Sequence, residues 1–361
     1  MFKKKIIFDE HYKSKHLNIN NKILIGIIIV LFFAVKEGKS QDIHFTQFYA
    51  SPLTLNPALT GVFDGDWRVS ANYRNQWRAI GGYPFTTFSF GWDRPIRIYS
   101  EQVNVGIVVL HDQSGVVNLT TNRFYGNISY LKKIGRNTLA LGIQPGYVTE
   151  GYDISKYSFN EQFDLGNTES MFNTSLNNYE TGYKNSIAFF DLNAGLLWNC
   201  RLSKSFTPQI GYTLFHINRP NRSFKNLKSD TTEFGMRNVI EARAIISLGQ
   251  QTRVIPHILT MFEKGASEAL CGGNFEQDLS NPVFKTVYAG AMFRYGWNGT
   301  FDASSAIVGV KWKNFDLGFS YDINVSSLKK ATNMRGAWEV SLIYISRSTK
   351  PSKIKIPCDR L

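Results

Sequence analysis

The chain has 361 residues, 43% of them hydrophobic and 14% aromatic, and a formal charge of +13. That apolar content excludes a disordered protein, and the length suits one large domain, since β-barrels run past the usual domain size. The charges are scattered singly, with no basic helix or stripe, which excludes the common nucleic-acid-binding classes and points instead to lipopolysaccharide phosphates or an acidic partner.

Residues 1–40 read as a cleaved signal peptide. Lys3, Lys4, Lys5 and Lys22 form a positive n-region, and Ile23 to Val35 is an apolar run of 13 residues. Gly38 and Ser40 place small residues before a cleavage site at Gln41. The run is shorter than the roughly 18 to 20 residues needed to span a bilayer, which disfavours an uncleaved anchor. Eight lysines and three acids leave with the peptide, so the mature chain carries a formal +8.

Residues 41–65 form a lead-in, expected on the periplasmic side and available there to dock partners. Within it Asn56-Pro57 is a turn starter and Gly61 permits a positive φ.

From residue 66 to 347 a strand-sized alternation repeats. Ile240, Ala242, Ala244, Ile246 and Leu248 fall on one face, with Glu241, Arg243 and Ser247 on the other. Phe190 to Trp198, Val308 to Trp312, Leu317 to Tyr321 and Trp338 to Tyr344 alternate in the same way. Period two marks strands with one apolar and one polar face. Several apolar faces end in Trp or Tyr, as in a membrane girdle. The pattern predicts about fourteen strands, starting near Trp67, Pro84, Val103, Asn118, Arg136, Ile187, Lys204, Met236, Thr252, Glu268, Val283, Asp302, Asn314 and Gly336. An even number of antiparallel strands implies an all-β, up-and-down transmembrane barrel, because only closure leaves no sheet edge unpaired in lipid.

The connections alternate too. Lys132–Arg136, Arg201–Lys204, Gly249–Thr252 and Lys313–Asn314 are short, whereas Gly151–Ser186, Asn218–Gly235 and Ile323–Arg335 are long. Outer-membrane barrels have short periplasmic turns and long outer loops, so both termini are expected in the periplasm. The stretches near Arg94–Gln102 and Cys271 are the least regular. The Gly151–Ser186 loop, rich in Tyr, Phe and Asn, suits either protein recognition or a lid over the barrel mouth. Inward residues such as Asp191, Glu241 and Arg243 fit a solute channel or a packed lumen equally well.

Residues 348–361 form a periplasmic tail. Cys200, Cys271 and Cys358 are far apart and odd in number, and free thiols are the simplest reading. No two of the six His residues stand at metal spacing, and there is no HExxH, GxSxG, P-loop or CxxC motif. Asp112-Gln113-Ser114-Gly115 reads as a loop tip. No catalytic, cofactor-binding or metal residue is expected, and the chain reads as a non-enzyme.

Spaced motifs at the two ends add a resemblance. Gln41-Asp42-Ile43-His44-Phe45-Thr46-Gln47 leads to Asn56-Pro57-Ala58-Leu59-Thr60-Gly61. Tyr73-Arg74-Asn75-Gln76-Trp77, Pro84 to Ser89, Asp93-Arg94-Pro95 and Asn104 to Ile107 follow, and Trp338 to Tyr344 and Ile356-Pro357-Cys358-Asp359-Arg360 close the chain. Together these resemble the PorP/SprF family of Bacteroidetes outer-membrane proteins. Ile43, Thr46 and Asp359 depart mildly from the family pattern. The resemblance implies a role in type IX secretion and gliding motility. The expected partners are secretion components, OmpA-like peptidoglycan-binding proteins or lipoproteins, and large adhesin cargo. It brings no catalytic residues and no cofactor. A solute porin or transporter is the alternative.

Overall fold

A computed structural model of the chain describes residues 43–77, 84–99, 101–115, 118–153, 159–164, 172–173, 175–176, 184–225, 232–263, 266–296, 301–326 and 329–347. The expected signal peptide at 1–40, the tail at 348–361 with Cys358, and most of the Gly151–Ser186 connection lie outside the described residues.

Fourteen antiparallel strands close into one barrel in chain order. The first seven are β1 (Arg68–Gln76), β2 (Phe85–Ile98), β3 (Glu101–Ser114), β4 (Leu119–Ile134), β5 (Asn137–Gly151), β6 (Ser186–Cys200) and β7 (Phe206–Phe215). The remainder are β8 (Arg237–Ser247), β9 (Thr252–Glu263), β10 (Ala266–Asp278), β11 (Phe284–Gly296), β12 (Phe301–Trp312), β13 (Phe315–Asn324) and β14 (Arg335–Ile345). Each begins within two residues of its expected start. The barrel closes where β1 pairs with β14, in a register running without a break from Arg68↔Ile345 to Gln76↔Ala337.

The barrel is inside-out relative to a soluble protein. Alternate residues such as Leu141, Phe190, Leu196, Ile258, Val308 and Phe319 are exposed on the outer wall, while Asn72, Asn127, Gln144, Asn193 and Ser320 are buried inside. A lipid surround makes the outer apolar face favourable, and closure satisfies the backbone. Aromatic groups gather toward each end. Trp67 packs on Tyr344 and Trp312 on Phe315 near the short turns, and Trp77 on Phe85 and Tyr295 on Phe301 near the long connections. The two-residue turns Gly135-Arg136 and Lys313-Asn314 begin with φ of 59° and 53°, the left-handed geometry that continues the twist of a hairpin.

Two expected irregularities are corrected. The stretch at Arg94–Gln102 is a tight hairpin, with β2 and β3 paired through to Ile98↔Glu101. Pro95 breaks the strand pattern in sequence, yet it lies beyond the last β1 pairing at Arg68↔Asp93, so its ring costs no ladder bond to β1. The strand around Cys271 pairs continuously with both neighbours. Its alternation is masked by Gly272, where a Cβ would lie 2.0 Å from the Ala291 carbonyl. The Asp112–Gly115 stretch is the end of β3, where Asp112 accepts a bond of 2.6 Å from the Thr87 hydroxyl.

Candidate functional site

The lead-in does not lie free at the barrel's end, as the sequence suggests. It occupies the lumen. Phe45, Phe48, Leu53, Leu55 and Leu59 need an apolar environment, and the inner wall supplies one through Leu131, Leu197, Val239, Leu259, Met292 and Ile307. Three short turns make the segment compact: Phe48–Ala50, Pro52–Leu55 and Pro57–Leu59. Pro52 and Pro57 each open a turn, where a missing N–H is no loss. The Asn56 side chain caps the third, accepting from the Ala58 N–H at 2.9 Å.

Charge fastens the first part of the plug. The Glu339 carboxylate accepts the backbone N–H groups of Thr46 and Gln47 at 2.7 and 2.9 Å, and Arg74 of β1 donates to the same carboxylate. Arg74 also reaches Asp322 at 3.1 Å, and Arg294 of β11 meets Asp322 at 3.2 Å and Glu268 at 3.1 Å. The Thr46 hydroxyl sits among them, accepting from both arginines and donating to Asp322. His44 Nε2 lies 2.9 Å from Glu268. Gln47 donates to Ser320 and accepts from Ser341. All these groups are buried or nearly so, where an unpaired charge is costly, so plug and wall satisfy one another.

The middle of the plug sits on glycines. A Cβ at Gly142 would lie 2.3 Å from the Pro57 carbonyl carbon, and one at Gly195 would lie 2.0 Å from Asn56 Oδ1. These two glycines are direct cross-strand partners on β5 and β6, so they form one smooth seat. From it Asn56 Nδ2 donates to Glu241 at 3.1 Å and to the Leu196 carbonyl at 3.1 Å.

The last part is tied by Asp93. Its two oxygens take a paired contact from Arg68 at 2.9 and 2.7 Å, and one also accepts the Gly61 N–H at 2.7 Å. Gly61 has the expected positive φ, +70°, where the chain turns out of the lumen toward β1.

A family model described as type IX secretion system membrane protein PorP/SprF matches residues 37–344. The chain belongs to the PorP/SprF family. It is therefore an outer-membrane β-barrel of a type IX secretion family, and the family-like motifs acquire a physical meaning. Thr46 and Gln47, Asn56 to Gly61, Arg74, Asp93 and Glu339 are the residues that join the PorP/SprF plug to its wall. Motifs far apart in sequence meet along one plug inside the lumen.

No individually curated protein sequence matches this PorP/SprF chain. Among solved structures it is similar to the CymD monoaromatic hydrocarbon channel, at 9% identity and a TM-score of 0.48, covering 83% of this chain and 94% of that one. The Pseudomonas putida toluene transporter TodX is similar at 9% identity and 0.47, covering 85% and 94%. A Pseudomonas aeruginosa FadL homologue follows at 9% and 0.46, covering 80% and 92%.

The sequence marks Asp191, Glu241 and Arg243 as inward residues, and all three line the lumen side of the PorP/SprF wall. Asp191 does not face a channel: it holds His216 at 2.9 Å and the Tyr125 hydroxyl at 2.7 Å. Arg243 bonds Gln209 at 2.9 Å. Asp322, Arg294 and Glu268 escape a sequence reading, since each is a single charge in an alternating strand. Cys200 and Cys271 are free thiols. Among the described residues, a vestibule of about 690 Å³ opens at the short-turn end on the β8–β14 side. Tyr49, stacked 4.5 Å from His257, separates it from the plug interior.

Proposed function

We propose that this barrel is a non-enzymatic component of the type IX secretion and gliding machinery, supporting export or surface attachment of a large adhesin-like protein. The family match over residues 37–344 carries this reading. The filled lumen supports it further, because a solute porin needs a through-path where Thr46, Gln47 and Asn56 are bonded to the wall. The buried His216 ring and the Tyr125 hydroxyl both bond Asp191, so this carboxylate is engaged in holding the wall together.

In this reading residues 1–40 direct export and the short-turn rim faces the periplasm, as in outer-membrane barrels generally. The tail at 348–361 then lies where OmpA-like peptidoglycan-binding proteins or lipoproteins can reach it, and the Gly151–Ser186 connection lies where cargo passes. Deleting the gene and measuring adhesin display by surface labelling of intact cells tests the reading. Loss of display, restored by the intact gene, is expected; unchanged export and display would sink it.

A further inference from the structure

We propose that the vestibule at the short-turn rim binds an acidic peptide segment of a protein partner, in extended form, with apolar side chains among its carboxylates. The volume of about 690 Å³ falls within the roughly 300–1,000 Å³ of sites that enclose a ligand. Seven basic side chains line it against three acidic ones.

The excess of positive charge is not spread evenly. Arg253 is neutralised by Asp278 at 2.6 Å, Lys311 by Glu276 at 2.5 Å, and Arg68 by Asp93 at 2.7 Å. Lys285, Lys313 and Arg347 have no carboxylate partner among the described residues, and all three are exposed at the mouth. Deeper in, Arg243 donates to the neutral Gln209, interacts with the Glu241 carboxylate two residues along its strand, and lines the space together with Tyr49. Cations thus lead from rim to floor, an arrangement that draws an anion inward.

The rest of the lining decides which anion. Phe63, Ile245, Ile255, Ile343 and Ile345 give the walls an apolar surface between the cations, and Tyr49 and His257 give a flat floor. A bare phosphate makes no use of such walls, whereas a peptide alternating acidic and apolar side chains uses both. The chain's own tail begins at this rim, directly after Arg347, but it carries Lys350, Lys353, Lys355 and Arg360 against the single Asp359. Like charge excludes it, and the occupant comes from another protein. If the short-turn rim is periplasmic, as proposed above, that protein is periplasmic; the binding chemistry stands independently of the orientation.

The test uses the detergent-solubilised full-length protein and a rhodamine-labelled peptide of alternating Glu and Phe, followed by fluorescence anisotropy. Saturable binding that weakens with added salt is expected. Combining Lys285→Glu, Lys313→Glu and Arg347→Glu should weaken it by roughly tenfold or more, and Lys285→Gln alone should act in the same direction. Lys133→Glu with Arg136→Glu, on the same rim but outside the vestibule, should leave it unchanged. Equal loss in both charge-reversal sets would reduce the effect to general attraction and overturn the site. A Glu and Ser peptide binding as tightly as the Glu and Phe peptide would overturn the apolar part. Polyphosphate displacing the peptide at equal charge concentration would assign the vestibule to phosphate instead. Adhesin display is scored separately, so peptide binding with normal display in the reversed variant separates this site from the export role.

Discussion

Arg74 and Glu339 face each other as cross-strand partners where the first strand closes on the last. Their ion pair lies inside the wall, and the same carboxylate takes two backbone N–H groups of the plug. Closure of the sheet and seating of the lead-in therefore share one carboxylate. Neither residue can change without affecting both.

Arg74→Ala should cost about 3–5 kcal/mol, because it leaves the buried Glu339 carboxylate without its cation and Asp322 with Arg294 alone. The midpoint of heat-induced unfolding on a gel-mobility assay should fall. A variant with unchanged thermal behaviour would mean that the network contributes nothing to stability.

Gly142→Val pushes side-chain atoms into the Pro57 backbone, where even a Cβ lies 2.3 Å away. Overpacking of this kind costs about 1–3 kcal/mol, and here it falls on the plug, since the strand pairing of β5 is retained. The expected outcome is a folded barrel whose first residues are cut by added protease. Continued protection of the segment would refute the glycine seat.

Gln47 and Ser341 bond at 3.0 Å across the plug–wall boundary. Paired Gln47→Cys and Ser341→Cys substitutions, with the native cysteines replaced by Ser, should form a disulfide under oxidation. Because the plug is bonded to the wall at both ends and seated on Gly142 and Gly195 between them, the locked protein should still support adhesin display. Display that fails only in the oxidised form would show that the plug must leave the lumen during export.

Val308 is 55% exposed on the outer wall, whereas its neighbour Ile307 is 1% exposed. Val308→Arg should cost about 2–4 kcal/mol if that wall faces the bilayer interior, measured as reduced folding into lipid vesicles. Equal yield of variant and native protein would place Val308 outside the hydrocarbon layer.

Much of the barrel is legible in sequence because lipid imposes a strict rule on alternate residues. Phe190, Leu196 and Phe319 keep their period whatever their neighbours do, so the strand starts are found closely. The lumen obeys no such rule. A polar residue facing water and one facing a buried peptide look alike, so Glu241 and Asp322 give no sign of Asn56 and Thr46. The lead-in misleads in a similar way: its prolines and Asn56 announce turns, but turns at a barrel mouth and turns inside a barrel read the same. Only the recurrence of Arg74, Asp93 and Glu339 in motif positions hints at a shared task, and the partners of that task become visible only in three dimensions.

The bond from the Thr46 amide to Glu339 joins positions 293 residues apart. Arg294 and Asp322, which complete that pocket, also belong to the final third of the chain. A segment near the start of the chain therefore has one of its binding pockets completed last. Contacts of such long sequence separation form late, since loop-closure entropy must be overcome before they contribute. Until the terminal strand arrives, the barrel cannot close around the apolar residues Phe45, Phe48 and Leu53. A seated lead-in is thus a checkpoint of complete assembly: a chain truncated before β14 is expected to expose its own N-terminus to degradation.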